Sequence, residues 1–326
     1  RSGRRRVTSS TGDEAPTGGN TPRKVRPPQI NGGFLNVDKP AGMTSMDVIR
    51  IIRRLTGQKR VGHGGTLDPD ATGVLPICIG RASRFIERFV QGRKVYEATA
   101  TFGSSTDTYD ASGRVTAESD ASGITLEAIE TALPQFIGEI QQVPPMYSAI
   151  KVNGERLYKL AREGKEIERE ARDVVVHGIK LISWNSPTLK LRIECGGGFY
   201  VRSLIHDMGL TLDNAAHMVS LVRSQVGRFT LDSAVTLEQL EEATEAGGWE
   251  QLLYPIDTAL MDVPAVVVDP AQEEAIGYGK PVQINTDVEN VHQEVRAYNR
   301  EGELIALMSF DPVLSRLTPI RVLAAR

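Results

Sequence analysis

One glycine-rich stretch, residues 61–76, carries side chains that could do acid–base or nucleophilic chemistry. It supplies one imidazole, His63, and two carboxylates, Asp68 and Asp70. Its glycines permit unusual backbone dihedrals, and Pro69 biases Asp68 toward extended geometry. Two interpretations fit this spacing: a structural turn in which the aspartates bind their own backbone, and a catalytic loop that presents a nucleophile or base. Spacing alone favours the structural turn.

Two further segments place aromatic and basic side chains where they could bind a substrate. Three glycines at 196–198 precede Tyr200 and Arg202, at the start of a helix predicted from Ser203. Glycines at such a point let the backbone turn and present the next side chains. Residues 95–103 alternate at period two, so Tyr96 lies on the apolar face of a predicted strand.

The elements that must hold these residues are predicted from local patterns. A strand over 33–40 leads to a helix with its N-cap at Thr44–Ser45, and Gly57 ends that helix. Apolar residues at 48, 51, 52 and 55 predict its buried face. Cations on and after the opposite face lead directly into the glycine-rich stretch and could contact phosphates: Arg50, Arg53, Arg54, Lys59 and Arg60.

Composition divides the chain into three parts. Residues 1–32 are rich in Gly, Pro, Ser, Thr and Arg, which predicts a disordered basic arm. Residues 33–254 form the predicted catalytic domain. From 255 to 326 the pattern changes to short strands, including a hairpin over 295–308, which predicts a small β domain.

The net charge and the cysteine content indicate how the chain could bind RNA and which compartment it occupies. The formal net charge is −3, so RNA binding must come from local basic surfaces rather than from total charge. Cys78 and Cys195 lie far apart in apolar settings, which predicts a reducing compartment, the cytoplasm, without disulfides. No apolar run approaches 18 residues, so no membrane association is expected.

The glycine-rich stretch closely resembles the catalytic loop of the TruB-type pseudouridine synthases, whose pattern is GH-x-G-x-LDP-x-ATG-x-L. Three other segments match that family in the same order: the Tyr96 strand, residues 143–154 with Lys151, and the Arg202 turn. Residues 212–223 depart from the family by two glycines and one arginine. Leu221 still stands where the family packs a side chain against the target nucleotide.

This resemblance implies an α+β fold with a mixed, mostly antiparallel central sheet and a small C-terminal, β-rich, PUA-like domain. It implies isomerisation of the T-loop uridine of tRNA, position 55, to pseudouridine, without guide RNA, cofactor or metal. The expected partner is the T-arm stem-loop of tRNA, bound by a monomer that needs no other protein. The expected catalytic residues are Asp68, Tyr96 and Arg202.

The resemblance also implies a substrate pocket around an extruded base. Tyr96 offers a face on which the uracil can stack, and Tyr200 and Leu221 close the pocket. His63 contacts the phosphates or fills the gap left by the base. Further RNA contacts are expected from a set of basic side chains: Arg50, Arg53, Lys59, Arg60 and Lys151.

The chemistry leaves alternatives open. Asp68 can attack C1′ of the ribose, or remove the C2′ proton through a glycal-like intermediate, and both routes need the ionised carboxylate. Arg202 is the expected partner that keeps Asp68 ionised. Tyr96 could also remove the C5 proton if a cation such as Arg202 lies close to its hydroxyl. A guide-dependent, dyskerin-like enzyme and a non-catalytic RNA-folding module are the competing functions.

Overall fold

The computed structural model describes residues 31–148, 150–152, 154–165, 167–284 and 294–323. The predicted N-terminal arm lies outside these residues except for Asn31 and Gly32. The strands are β1 (Gly32–Lys39), β2 (Val61–His63), β3 (Thr72–Gly80), β4 (Lys94–Phe102), β5 (Ser104–Thr106), β6 (Val115–Glu118), β7 (Gly138–Gln142), β8 (Lys151–Val152), β9 (Glu155–Arg156), β10 (Arg172–Asn185), β11 (Thr188–Cys195), β12 (Ala216–Val226), β13 (Phe229–Thr230), β14 (Ala265–Val267), β15 (Val282–Gln283), β16 (Glu294–Tyr298), β17 (Leu304–Asp311) and β18 (Arg316–Val322).

Seven α-helices occur in the described part of the chain. They are α1 (Ser45–Thr56), α2 (Ile86–Gln91), α3 (Leu126–Ala132), α4 (Leu157–Arg162), α5 (Val201–Thr211), α6 (Leu237–Glu245) and α7 (Pro270–Gly277). Short 3-10 segments follow or link them at Arg81–Phe85, Leu133–Phe136, Leu231–Ser233, Trp249–Leu252 and Ile256–Leu260. None of the described helices is long and apolar enough to cross a membrane.

A nine-stranded sheet forms the centre of the molecule. Its main path runs β1-β3-β12-β4-β11-β10-β7, with β2 paired to β3 and β13 paired to β12. Every pair is antiparallel except β3 with β12, so the sheet is mixed and mostly antiparallel, as expected. The strand β12 lies between β3 and β4, although the chain reaches it last of the three. This insertion brings distant residues together beside the glycine-rich stretch.

Helix α1 packs on the sheet next to that stretch. Its predicted start is confirmed: Thr44 is the N-cap, and Asp47 completes a capping box. Its predicted buried face is partly wrong, because the fully buried positions include 49 and 56, whereas Ile51 and Leu55 are only half-buried. The face of α1 that packs on the sheet is therefore rotated about the helix axis from the face that the apolar spacing indicated, toward positions 49 and 56.

The C-terminal strands form a separate curled sheet. Its order is β14-β16-β17-β18-β15, and it encloses a core of its own that includes Val295, Met308 and Leu317. The predicted hairpin is present as β16 and β17. Two residues of this part, Leu307 and Leu323, also join an apolar cluster with Phe34 of the central sheet. The two sheets are therefore held together by buried apolar contacts, in addition to the chain that links them.

Candidate active site

The loop that contains Asp68 connects β2 to β3 and is held from two directions. The Ser45 hydroxyl, in the first turn of α1, accepts from the Leu67 amide at 2.9 Å and donates to the Leu67 carbonyl at 3.1 Å. Lys39, fully buried at the end of β1, donates through its ammonium to three carbonyl oxygens, including that of Pro69 at 2.9 Å. These bonds fix the backbone on both sides of Asp68.

Arg202 lies at the start of α5 and reaches the loop with a buried guanidinium, only 5% exposed. Its Nε lies 3.0 Å from Asp68 Oδ2, and its Nη1 lies 3.3 Å from Asp110 Oδ2. It also donates to the carbonyls of Thr108 at 3.0 Å and Tyr147 at 2.8 Å. A guanidinium held by four partners has one orientation, so Arg202 fixes the direction of the Asp68 carboxylate.

The Asp68 side chain is accessible to solvent, and several charged groups act on its pKa. It is 38% exposed, in contrast to the buried arginine that it contacts. Burial of the surrounding site raises the pKa of Asp68, and the charges of Arg202 and Lys39 oppose that rise. The negative charges of Asp110 and Asp70 raise the pKa further. Arg202 therefore favours the ionised carboxylate within surroundings that disfavour it.

Tyr96 and Leu221 lie on neighbouring strands of the central sheet, and both are buried. Leu221 of β12 pairs with Ala98 of β4, and Tyr96 pairs with Arg223. Burial raises the pKa of Tyr96, whereas the charge of Arg223 and a hydrogen bond from it lower that pKa. The cation that acts on the Tyr96 hydroxyl is thus Arg223, not Arg202, which was the example of a cation that could do so.

Tyr200 directly precedes α5 and is fixed through its backbone. Its amide donates to Gln142 Oε1 at 2.8 Å, and its carbonyl accepts from Gln142 Nε2 at 3.0 Å. Burial raises the pKa of the Tyr200 hydroxyl, and the neighbouring Ser148 hydroxyl opposes that rise. The charges of Arg202 and Asp68 both act on this hydroxyl, which places Tyr200 beside the ion pair.

His63 ends β2, opposite Ile77 of β3, one residue before the loop. Its side chain is half-buried, and its Nδ1 atom has no hydrogen-bond partner among the described residues. Burial lowers the pKa of His63, and the charge of Arg223 lowers it further. Both effects favour the neutral form of the imidazole.

The predicted basic edge is only partly available for RNA. Arg50 is exposed and pairs with Asp47 at 2.6 Å. Arg53 donates to the Val61 carbonyl at 2.9 Å, so its guanidinium is committed to β2. Lys59 and Arg60 are exposed at the end of α1. Lys151 lies on β8, and its side chain falls outside the described part of the structure.

Sequence reasoning missed three charged residues at the site: Lys39, Asp110 and Arg223. Asp110 lies in a segment interpreted only as a turn, and its contact with Arg202 spans more than ninety residues of sequence. Arg223 is 1% exposed and donates to the carbonyls of Val74 at 2.8 Å and Gly65 at 3.0 Å. One signal was present, because an arginine two positions after Leu221 on an alternating strand shares its apolar face.

The described residues contain no group of three or more His, Cys, Asp and Glu placed to hold a metal ion. Asp68 and Asp110 instead share the buried guanidinium of Arg202.

Comparison with known proteins identifies the family. The model of the TruB family pseudouridylate synthase N-terminal domain matches residues 53–201, and that of the tRNA pseudouridylate synthase B C-terminal domain matches 202–261. A tRNA pseudouridine synthase B from Dehalococcoides mccartyi is 43% identical over 276 residues, 85% of this chain and 91% of the relative. One from Symbiobacterium thermophilum is 48% identical over 239 residues, 72% of this chain and 78% of the relative.

A solved structure shares the fold. The crystal structure of a Cbf5-Nop10-Gar1 complex contains a chain that superposes with a TM-score of 0.69 at 25% identity. The match covers 90% of this chain and 85% of that one. The extent of these sequence matches leaves one assignment: this chain belongs to the TruB family of pseudouridine synthases.

Proposed function

We propose that this chain isomerises the T-loop uridine of tRNA, position 55, to pseudouridine, acting alone and without a guide RNA. The relatives that it matches over most of its length are named tRNA pseudouridine synthase B. The observation that carries the proposal is the accessible Asp68 carboxylate, oriented by the buried guanidinium of Arg202 at 3.0 Å. The reaction would take place in the cytoplasm, where a monomer would meet the T-arm of its substrate.

The reaction needs one carboxylate and no group donor. The bond between N1 of uracil and C1′ breaks, the freed base rotates, and C5 forms the new bond to C1′. The C5 proton then leaves, and N1 takes up a proton, so the product is an isomer of the substrate. Asp68 acts at C1′ as a nucleophile or at the C2′ proton as a base, and Arg202 serves both routes by keeping the carboxylate ionised.

The uridine must leave its stack to reach this carboxylate. Extrusion of a base costs a few kcal/mol, and stacking on an aromatic ring returns about 1–3 kcal/mol. Tyr96 would supply that ring, with Leu221 beside it on the next strand. Tyr200 would close the pocket, and a neutral His63 would contact the RNA that surrounds the extruded base.

Two other functions compete with this one. The Cbf5 chain of similar fold is found in a complex with Nop10 and Gar1, which makes a partner-dependent enzyme the second candidate. The third is a module that binds RNA without catalysis. The ion pair between Asp68 and Arg202 argues against that module, because RNA binding alone does not call for a buried arginine aimed at a carboxylate.

One experiment separates the three functions. The purified chain is incubated with an unmodified T-arm stem-loop transcript, and pseudouridine is mapped at single-nucleotide resolution. Modification at position 55 by the protein alone supports the proposal. Modification that requires an added guide RNA or protein supports the second candidate. Binding without modification, under conditions in which a characterised family member is active, supports the third.

A further inference from the structure

Arg223 is a buried cation that has no role in the reaction as proposed above. It is the largest fully buried side chain of the described residues, and no carboxylate among them lies within ion-pair distance of it. Its guanidinium is instead satisfied by backbone carbonyls. Its Nε donates to Val74 at 2.8 Å, and its Nη2 donates to Gly65 at 3.0 Å. A buried charge that faces only dipoles keeps most of its field.

That field acts on several titratable groups from different strands. Arg223 lowers the pKa of Lys39 on β1, His63 on β2, and Lys94 and Tyr96 on β4. It also lowers that of Cys195 on β11. Of these, Tyr96 stands directly opposite Arg223 in the ladder between β4 and β12. The other charged groups that act on Tyr96 are Cys195 and Asp68, and a negative charge on either disfavours the phenolate.

Arg223 also joins Tyr96 to the loop that carries Asp68. The carbonyls that it binds flank the loop, since Gly65 precedes Asp68 by three residues and Val74 lies in the strand that follows it. The glycine at 73 fits this arrangement, because a Cβ there would lie 2.3 Å from the Arg223 carbonyl oxygen. The Arg223 side chain thus sets the distance between the loop that carries Asp68 and the ring of Tyr96.

We propose that Arg223 is the positioning residue that enables Tyr96 to take the C5 proton after the new carbon–carbon bond has formed. The phenolate oxygen accepts the proton from C5, and the electron pair of the C5–H bond forms the C5–C6 double bond. The pair of the C6–N1 double bond moves at the same time to N1, which takes up a proton. The cation stabilises the phenolate that must exist before this step. This inference rests on the proposed function, and it assigns to Arg223 a task that Arg202, engaged with two carboxylates, does not perform.

The sharpest test replaces Arg223 by lysine. An arginine stays charged at every accessible pH, whereas a buried lysine loses its proton as the pH rises. In Arg223→Lys, release of tritium from [5-³H]uridine in a T-arm transcript should therefore slow about tenfold or more as the pH rises from 7 to 9.5. The wild type should show no such alkaline loss. Circular dichroism at each pH establishes that the variant stays folded.

A second measurement does not need turnover. With 3-fluorotyrosine at position 96, the ¹⁹F shift reports the ionisation of that phenol. Its midpoint should move to higher pH in Arg223→Gln and stay unchanged in Arg228→Gln, which removes an exposed charge two residues beyond the same strand. An unchanged midpoint in Arg223→Gln, or Arg223→Lys without an alkaline loss, overturns the inference and leaves Arg223 a purely structural residue.

The two readouts also separate this inference from the proposed function. Wild-type protein that forms pseudouridine while Arg223→Lys keeps its pH profile contradicts only the role of Arg223. Wild-type protein that forms no pseudouridine contradicts the proposed function, and the ¹⁹F titration then still decides whether Arg223 controls the ionisation of Tyr96.

Discussion

Asp68 is the residue on which the proposed chemistry depends. Asp68→Asn keeps the shape of the side chain and removes its charge, so it should lower kcat by on the order of 10⁴-fold. Affinity for the T-arm should stay near that of the wild type, because the carboxylate acts mainly in the transition state. Single-turnover assays with parallel binding measurements check both values, and multiple turnover by the variant would remove Asp68 from the mechanism.

Arg202 should control the pH at which activity appears. The proposed reaction needs ionised Asp68, so kcat falls as the pH drops through the pKa of that carboxyl. Removal of the cation in Arg202→Met raises the pKa, and the acid limb of the kcat profile should therefore move to higher pH. Arg202→Lys keeps the charge and should keep the limb while losing kcat, since lysine lacks the planar fork. An acid limb in the same place for all three proteins would show that a different group titrates.

Tyr96 can be tested by separating its ring from its hydroxyl. Tyr96→Ala should lose about 1–3 kcal/mol of substrate stabilisation, roughly ten- to a hundredfold in kcat/KM, because the stacking face is gone. Tyr96→Phe should bind like the wild type and stall after the new bond forms, with a C5-protonated adduct detectable by mass spectrometry. Full activity of Tyr96→Phe would leave the stacking role intact and eliminate the hydroxyl as a base.

At the scale of elements, the junction of β3 and β12 is where the loop is held. Gly73 has φ +99°, and a Cβ there would lie 2.3 Å from the carbonyl oxygen of Arg223. Gly138 has φ +103° and no atom within 4 Å of the same position. The two glycines therefore share the backbone strain of a left-handed conformation but differ in the contact.

Replacing each glycine by alanine and comparing the two losses in stability separates the cost of the contact at Gly73 from the cost of backbone strain. Gly138→Ala should cost about 1–2 kcal/mol of unfolding free energy from strain alone. Gly73→Ala should cost a further 1–3 kcal/mol or so, because the parallel pairing of β3 with β12 must shift. Urea denaturation of both variants checks the difference. Equal losses would mean that β12 moves aside freely and does not fix the loop.

The same elements show what the sequence could predict. The N-cap of α1, the apolar face of β4 and the C-terminal hairpin follow from local spacing, and each is present. The position of β12 between β3 and β4 does not follow from local spacing, because it depends on pairing across more than a hundred residues. Arg223 and Asp110 were missed for that reason, whereas Asp68 and Arg202 were found through motifs.

At the scale of the whole molecule, the shared apolar cluster of the two sheets limits what a deletion can show. Removal of the C-terminal sheet would expose Phe34 and its neighbours, so lost activity would not report on RNA contact. Arg81 donates to the Leu323 carbonyl, and Arg84 donates to that of Val322, which docks the two parts together. Substitutions that probe RNA binding must spare these arginines.

A groove at this junction offers the better test of RNA binding by the acidic C-terminal part. Its cavity volume is about 530 Å³, and three arginines and an exposed tyrosine line it, together with small and apolar residues: Arg81, Arg84, Gly277, Tyr278, Gly279, Ile320, Arg321 and Val322. The groove begins beyond Gly80, at the opposite end of β3 from the Asp68 loop. Nine strand residues at about 3.3 Å each place it roughly 25–30 Å from that loop.

An isolated T-arm hairpin and a full tRNA should therefore respond differently to changes in this groove. Tyr278→Ala combined with Arg321→Gln should raise KM for full tRNA about tenfold or more and lower the salt dependence of its binding. KM for the isolated stem-loop should stay unchanged, because its bound loop lies at the far end of β3. Arg300→Gln removes an exposed charge from the turn between β16 and β17 and serves as the control. Equal increases for both RNAs would show that the groove acts through the fold rather than by contact with the distal tRNA.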